Sequence, residues 1–379
     1  MLYKRKKIAY TVSNTMYQAI AQQKFNALRK RTDAVILGIE TSCDETAAAV
    51  VKNGRQVLSN VIFSQIDLHQ KFGGVVPEIA SRNHLLKINT VIDETLAAAG
   101  VQAEELDAVA VTYGAGLLGA LLVGVSAAKA TAYALQLPLI KVSHIEAHVA
   151  ANFIAYGQAE LKPPFLSIAA SGGHTSLIAV NGYNDYSSLG GTADDAIGEA
   201  FDKVARVLGL PYPGGPEIDK LAKQGTPNIK FYKHTRSLAQ KDLRLSYSGL
   251  KSAVVNYLNT AKMKGEAVSI ADVCASFTAI AVDTLVATAI YAARERNLNK
   301  IALAGGVAAN SYLRQKLTNE AAKHAIQVFI PPMHLCTDNA AMIASRAYFS
   351  IRAGTDLADL RLNANSGLQI KSEIMHEQN

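Results

Sequence analysis

The sequence predicts a two-lobed α/β protein with duplicated halves, and three observations predict it. From residue 34 onward, short apolar runs alternate with Ala-rich helical stretches, the pattern of a sheet covered by helices. Two strand–turn–strand units, at 34–54 and 165–184, follow one logic about 130 residues apart, and each closes on an Asn-Gly pair. At 379 residues and 49% apolar content there is ample chain for two cores, and no run of 18 uncharged apolar residues reads as a membrane span.

Taken in order, "AVILGIE" (34–40) reads as a buried strand and "TAAAVVKNGR" (46–55) as its partner, ending in the Asn53-Gly54 turn. "RNHLLKINTVIDETLAAAG" (82–100) spaces its apolar residues as a helix does, and Gly100 stops it. A strand follows at 106–114, a buried helix at 117–135 and a strand at 138–144. The second unit opens with "FLSIAASGGHTSLIAVNGYN" (165–184) and continues with helices at 192–209 and 268–297. A strand at 300–306 and a closing helix near 338–353 complete the pattern, while 211–216 and 224–248 read as loops.

The net charge of +7 is local. Eight Lys/Arg and no acid lie in residues 1–31, which leaves 30 basic against 31 acidic side chains for the rest. This leader fits an extended start, an organellar targeting segment or a nucleic-acid-binding arm, and has too few consecutive apolar residues for secretion. It is expected to be a dispensable extension, open to disorder. The three cysteines, Cys43, Cys274 and Cys336, form no pairing pattern and read as reduced thiols of a cytoplasmic chain.

Several stretches carry candidate chemistry. His144 and His148 are four apart, so a helix starting there puts both on one face, able to clasp one ion. Glu146 between them points away, and the spacing is not the HExxH of a metalloprotease. Capping and ordinary burial explain such a pair equally well. Asp338, at the start of the last helix, is a third ligand or an N-cap. "SGGHTS" (171–176) offers backbone N–H groups to a phosphate, or is simply a tight turn. "YPGGPEID" (212–219) stiffens a loop before Asp219, and "AGGVAANSYL" (304–313) lets a flat base lie on backbone, with Asn310 reading it or capping a helix. Glu40, Asp44 and Glu45 cluster in "ETSCDET" and suit a cation, a water or an ordinary solvated turn. Glu199 and Asp202 share a helical face.

In order and with fitting spacing, "GIETSCDETAAAVV", "HIEAHVAA", "SGGHTSLI", "GEAFDKVARVLGLPYPGGPEID", "SYSGLKSA", "AGGVAANSYLR" and "CTDNAAMIA" resemble the TsaD family in its bacterial form. These are the tRNA threonylcarbamoyladenosine transferases, once labelled O-sialoglycoprotein endopeptidases. The likeness spans about residues 34–365 and leaves the leader without a counterpart. It implies an ASKHA (actin/Hsp70-like) fold of duplicated ribonuclease-H-like lobes with a central nucleotide cleft. The division expected is a leader at 1–31, lobe I at 32–141 plus 338–365, and lobe II at 142–337.

Carried over by position, the resemblance makes His144, His148 and Asp338 ligands of one divalent metal, iron or zinc. It assigns an adenylate, with ATP a further candidate, to Ala169, Ala170, Ser171, Gly172, Gly173, Asp202, Gly215, Asp219 and Asn310. Asp44 and Glu45 become candidates for catalysis and phosphate handling. The implied reaction moves a threonylcarbamoyl group from threonylcarbamoyl-AMP, made by a separate synthase, to N6 of the adenosine just 3′ of the anticodon, in tRNAs reading codons that begin with A. The implied partners are tRNA, a catalytically dead TsaB-like paralogue and a TsaE-like ATPase, with no membrane. Helices near 82–99 and 117–135 are expected docking surfaces, and Lys233, Arg236, Lys241, Arg244 and Lys251 an RNA-facing patch. The rival readings are a zinc metalloprotease and a non-catalytic ATP-binding scaffold.

Overall fold

Two sheets of one topology organise the chain. The computed structural model describes residues 2–155, 161–231 and 243–372, with side chains from Asn14 onward, and it divides into two units. The first comprises Met1–Gln65, Val75–Glu160 and Asp338–Gln369; the second comprises Ile66–Gly74, Leu161–Thr337 and Ile370–Asn379.

In chain order, α1 (Leu2–Leu28), β1 (Val35–Glu40), β2 (Glu45–Lys52) and β3 (Gln56–Ser64) open the first unit. After α2 (Ile66–Gln70), which belongs to the second unit, α3 (Pro77–Ala99), β4 (Ala108–Gly114), α4 (Leu118–Ala134), β5 (Leu139–Ser143) and α5 (His144–Ala155) continue it. The second unit holds β6 (Phe165–Ala170), β7 (Thr175–Gly182), β8 (Asp185–Thr192), α6 (Ile197–Val207), α7 (Gly214–Ala222) and β9 (Arg244–Leu245). It ends with α8 (Ser248–Lys264), α9 (Ile270–Glu295), β10 (Lys300–Ala304), α10 (Ser311–Ala322) and β11 (Gln327–Phe329). The chain then returns to the first unit as α11 (Ala340–Arg352).

The first sheet runs β3-β2-β1-β4-β5, its first three strands antiparallel and β1, β4 and β5 parallel. The second runs β11-β10-β6-β7-β8-β9, the same arrangement from β8 to β11 with β9 added at one edge. The duplication expected from the two hairpins is therefore a duplication of topology. Asn53 (φ 60°) and Gly54 (φ 66°) form the tight turn from β2 to β3 that the Asn-Gly pair predicts. Helix α3 stops at Gly100 in the left-handed conformation (φ 64°) as expected, but starts earlier than the expected 82, on Pro77, whose fixed φ suits a first helical turn.

Each sheet buries its own core. Leu37, Ile39, Val50, Val109 and Val111 meet Val91, Val125 and Ala128 of α3 and α4 in the first unit. Ile168, Leu177 and Leu303 meet Phe201, Phe277 and Leu285 in the second. Among the described residues one helix, α9, is long and apolar enough to cross a membrane, and 78% of its apolar window is buried within the protein.

Three expectations change. The leader is helical and, from residue 14 on, docked: Tyr17, Ala21, Phe25 and Leu28 fall on one helical face and are buried. The Tyr17 hydroxyl donates to the Leu137 carbonyl at 3.0 Å. Residues 142–155 belong with the first unit rather than the second, because α5 packs on α11 through an apolar face that includes Phe153 against Phe349. Helix α7 begins within the 211–216 stretch expected as a loop and β9 lies within 224–248, while β3, β8 and most of α8 occupy stretches to which no element was assigned. Of the basic patch, Lys233, Arg236 and Lys241 lie outside the described residues.

Candidate functional site

In the first unit, β5 runs directly into α5, so His144 and His148 occupy the first two turns of that helix, both buried. Asp338 arrives from the other end of the chain. A side chain on Gly38 of β1 would collide with the carbonyl of Ala340, so β1 and α11 meet backbone to backbone. That approach sets Asp338, two residues ahead of α11, near the end of β1. Nε2 of His148 lies 3.1 Å from Oδ1 of Asp338 and 3.2 Å from Nε2 of His144, which is itself 3.6 Å from Oδ1 of Asp338. The three donor atoms all fall within 4.8 Å of one another. Two imidazole nitrogens and a carboxylate oxygen are a donor set suited to zinc or ferrous iron. The helix cap after Asp338 is Asn339, whose side chain accepts from Met342 N–H at 3.1 Å, so Asp338 is not the cap.

The surroundings are acidic. Burial alone would lower the pKa of His144, but Asp338 and Glu40 outweigh it and push the ring up to about 9. Glu45 is pushed up to about 9 by burial and by facing Asp338 and Asp44; its Oε1 accepts from Ser64 at 3.0 Å. Burial and the same acids hold the Cys43 thiol well above its usual value. A cation among these groups reverses that balance, since each carboxylate is stabilised by it and the histidines bind it neutral. Glu146 does face away, as its position predicts: Arg346 holds it at 2.8 and 2.5 Å through Nε and Nη2.

In the second unit, Ala169 and Ala170 end β6, and Ser171, Gly172 and Gly173 turn the chain into β7. Ser171 N–H donates to His174 O at 2.8 Å, and His174 N–H to Ser171 Oγ at 3.2 Å. Gly172 and Gly173 face open space, with no atom within 4 Å of where a side chain would start. Around them the backbone closes tightly. A side chain on Gly198 of α6 would meet Ser171 O at 2.5 Å, and one on Gly305 (φ 86°) would collide with Ala170 O. Thr175 Oγ1 accepts the N–H of Ile197 at 2.8 Å, fixing the start of α6 beside the turn.

Asp202 accepts Gly214 N–H at 2.7 Å and so secures the start of α7; burial raises its pKa against that help. Gly215, next along, has no neighbour within 4 Å of a would-be side chain. Asp219 receives both the N–H (3.0 Å) and hydroxyl (2.8 Å) of Ser311. Asn310 caps α10 through Leu313 N–H at 2.9 Å. The expected adenylate residues thus split by kind. The glycines offer open backbone, while Asp202, Asp219 and Asn310 already brace the loops that present it.

Sequence reasoning missed several supporting residues. Glu40 appeared only as one acid in a cluster, yet it is fully buried against His144. His84 is buried too, between Thr46 Oγ1 (2.7 Å) and the Cys43 carbonyl (2.9 Å), and so braces the loop that carries Asp44 and Glu45. Asp194, at the other unit's "SYSGLK" segment, accepts from Ser246 and Ser248 hydroxyls at 2.5 and 2.7 Å. A lone charged residue closing an apolar run, as Glu40 does in "AVILGIE", was the available signal.

Comparison with known proteins gives this arrangement a setting. The model of the TsaD family, tRNA N6-adenosine threonylcarbamoyltransferase, matches residues 56–345. A relative of that description from Clostridium perfringens (strain 13 / Type A) is 55% identical over 337 residues, covering 89% of this chain and 98% of the relative. One from Clostridium novyi (strain NT) is 54% identical over 338 residues, with 89% and 98% covered. Among solved structures, HypF from T. kodakarensis superposes with a TM-score of 0.58 at 15% identity, over 85% of this chain and 48% of HypF. Full-length HypF in its phosphate- and nucleotide-bound form gives 0.56 at 17%, over 86% and 47%. These structural likenesses speak for an ASKHA fold and for nothing finer. With a family model over most of its length and relatives more than half identical, the chain belongs to the TsaD family, the tRNA N6-adenosine threonylcarbamoyltransferases.

Proposed function

We propose that the chain performs its family's transfer of threonylcarbamoyl to N6 of the tRNA adenosine just 3′ of the anticodon with the help of one divalent metal, iron or zinc, held by His144, His148 and Asp338. The observation that carries this reading is the convergence of their donor atoms within 4.8 Å. When bound there, the ion supplies Lewis acidity toward an oxygen of the threonylcarbamoyl group.

The protein's own residues do the rest. The open turn at Ser171, Gly172 and Gly173 offers backbone N–H groups to the phosphate of threonylcarbamoyl-AMP, with Ala169 and Ala170 behind it, and keeps the departing AMP in place. Gly215 presents a second stretch of bare backbone, braced by Asp202, Asp219 and Asn310, where the adenine or ribose can lie. ATP fits the same chemistry. An exocyclic adenine amine is a weak nucleophile and must lose a proton, and Asp44 or Glu45 takes it. Glu45 faces Asp338 and Asp44, which with burial push it up to about 9, so a cation held at Asp338 would favour the ionised form that accepts the proton. Glu146 is engaged by Arg346, which removes the carboxylate lying between the histidines from the role of protease base.

Partner docking has support as well. Leu85 (68% exposed) and Leu86 (74%) on α3, with Leu118 (53%) and Leu122 (40%) on α4, leave apolar surface on two helices of one unit. A TsaB-like paralogue covers that surface in this reading. A TsaE-like ATPase completes the assembly, a separate synthase supplies threonylcarbamoyl-AMP, and the setting is cytoplasmic. Arg244 and Lys251 are the described members of the expected RNA-facing patch.

The test combines the chain with these partners, threonylcarbamoyl-AMP and unmodified tRNA, and reads the tRNA nucleosides by mass spectrometry. Wild type yields threonylcarbamoyladenosine, and His144→Ala lowers its yield at least about 100-fold. Equal yield from the variant rejects the role given to the metal ligands.

A further inference from the structure

The proton on one of the candidate ligands is fixed by its neighbours. Glu40 ends β1 with its side chain wholly buried, and both its carboxylate oxygens accept hydrogen bonds. Oε1 accepts the N–H of Ser42 at 2.5 Å. Oε2 accepts the Thr112 hydroxyl at 2.5 Å and lies 3.2 Å from Nδ1 of His144. That same Nδ1 is 3.1 Å from Ser42 Oγ. A carboxylate accepts and does not donate, so the ring nitrogen facing it carries the proton. In the neutral imidazole the lone pair then sits on Nε2, the atom turned toward His148 and Asp338. His148 has no such support: its Nδ1 is buried and meets no hydrogen-bond partner among the described residues.

We infer that Glu40 is a positioning residue for the metal centre: it selects the metal-binding tautomer of His144 and, through Ser42 N–H, ties that choice to the loop bearing Asp44. The inference rests on the reading that His144, His148 and Asp338 hold an ion. It makes the two histidines unequal. His144 is a ligand oriented in advance, whereas His148 takes its orientation from the ion.

Glu40→Gln is the informative substitution, because an amide must turn a donor somewhere. If its NH₂ faces Ser42, two donors oppose each other. If it faces Thr112 and His144, the ring is pushed to the Nε2–H tautomer and loses the lone pair the ion needs. Second-sphere partners of this kind are worth about 10–100-fold in metal affinity.

The experiment prepares the full chain free of metal with a chelator and titrates Co(II), followed by its d–d absorption, and Zn(II), against a chromogenic chelator. Wild type is expected to bind one equivalent, and Glu40→Gln to bind about 10–100-fold more weakly with an altered Co(II) spectrum. In parallel, two-bond ¹H–¹⁵N correlation spectra of metal-free wild type, recorded well above pH 9 where the His144 ring is neutral, report the tautomer directly and need no variant to fold. The expected result is Nδ1–H for His144. Affinity within about threefold of wild type, or an Nε2–H ring in wild type, overturns the inference while leaving the metal reading standing. Failure of wild type itself to bind either ion overturns both.

Discussion

Arg346 and Glu146 lock together the two helices that carry the candidate ligands: both Nε and Nη2 of the guanidinium donate to one carboxylate oxygen, at 2.8 and 2.5 Å. Arg346 is almost wholly buried on α11, and Glu146 retains 24% side-chain exposure on α5. Asp338 precedes one helix, and His144 and His148 begin the other, so the pair sets the spacing of the donor set. Arg346→Met strands a largely buried carboxylate and is expected to cost about 3 kcal/mol, the low end for a broken buried pair given that residual exposure. Adding Glu146→Leu removes the stranded charge and recovers most of the loss. Urea denaturation of both variants checks this; a double variant no more stable than the single one contradicts it.

The turn proposed for the adenylate allows a paired test, because Gly172 within it and Gly198 of α6 behind it are glycine for different reasons. Gly172 faces open space, so Gly172→Ala leaves the fold unstrained and intrudes only on whatever lies there. The expected result is an unchanged melting temperature with at least about tenfold weaker AMP binding by calorimetry, the loss of one good contact. Gly198→Ala drives a methyl against Ser171 O and Gly172 Cα, backbone that has to move. It is expected to cost about 1–3 kcal/mol as overpacking and to weaken AMP as well. Unchanged AMP binding in Gly172→Ala places the nucleotide elsewhere.

How far the sequence spoke follows from what each residue's role depends on. Strand β1, helix α3 and the Asn53-Gly54 turn obey local rules, so their residues declared them in advance. The His144–His148 spacing implied a shared face, but convergence with Asp338 depends on α11 crossing β1 at Gly38, a contact between residues about 300 apart. Glu40 was visible as an acid and invisible as a partner of His144. The docked leader was misjudged for a physical reason: its eight charges dominate the composition, whereas four side chains, Tyr17, Ala21, Phe25 and Leu28, decide where it goes. Strand β8, "DYSSLGGT", has little apolar alternation of its own and exists because β7 pairs with it.

Asp194 predicts an acid-labile segment. Burial would raise its pKa, but the hydroxyls of Ser246 and Ser248 and the N–H groups of Tyr247 and Ser248 overcome that and lower it to about 2. The unfolded carboxyl titrates near 3.8, so the folded state is favoured by the full difference above that pH and loses the advantage as pH falls from about 4 to about 2. Because Asp194 also closes the start of α8, protonation frees the "SYSGLK" segment. Melting temperature should therefore drop more steeply between pH 4 and pH 2 in wild type than in Asp194→Asn, with the variant already lower at pH 7. Parallel curves for the two proteins assign no role to this carboxylate.

Docking of α1 makes the leader's accessibility a measurable property. Lys24, Arg29 and Lys30 are exposed tryptic sites, but cleavage needs the local chain to open, and Tyr17, Phe25 and the Tyr17–Leu137 hydrogen bond oppose that. Phe25 is 2% exposed, and Phe→Ala at such a site costs about 3–5 kcal/mol, enough to release a helix whose fully buried face, among the described side chains, is Tyr17, Ala21, Phe25 and Leu28. The Phe25→Ala protein is expected to lose residues 1–30 to trypsin at least about 100-fold faster than wild type, since about 2.7 kcal/mol already shifts an opening equilibrium by that factor. The core sheet around Leu37 and Val109 should meanwhile resist in both. Equal cleavage rates in variant and wild type mean that the leader is already open in solution and that its buried stripe does not hold it.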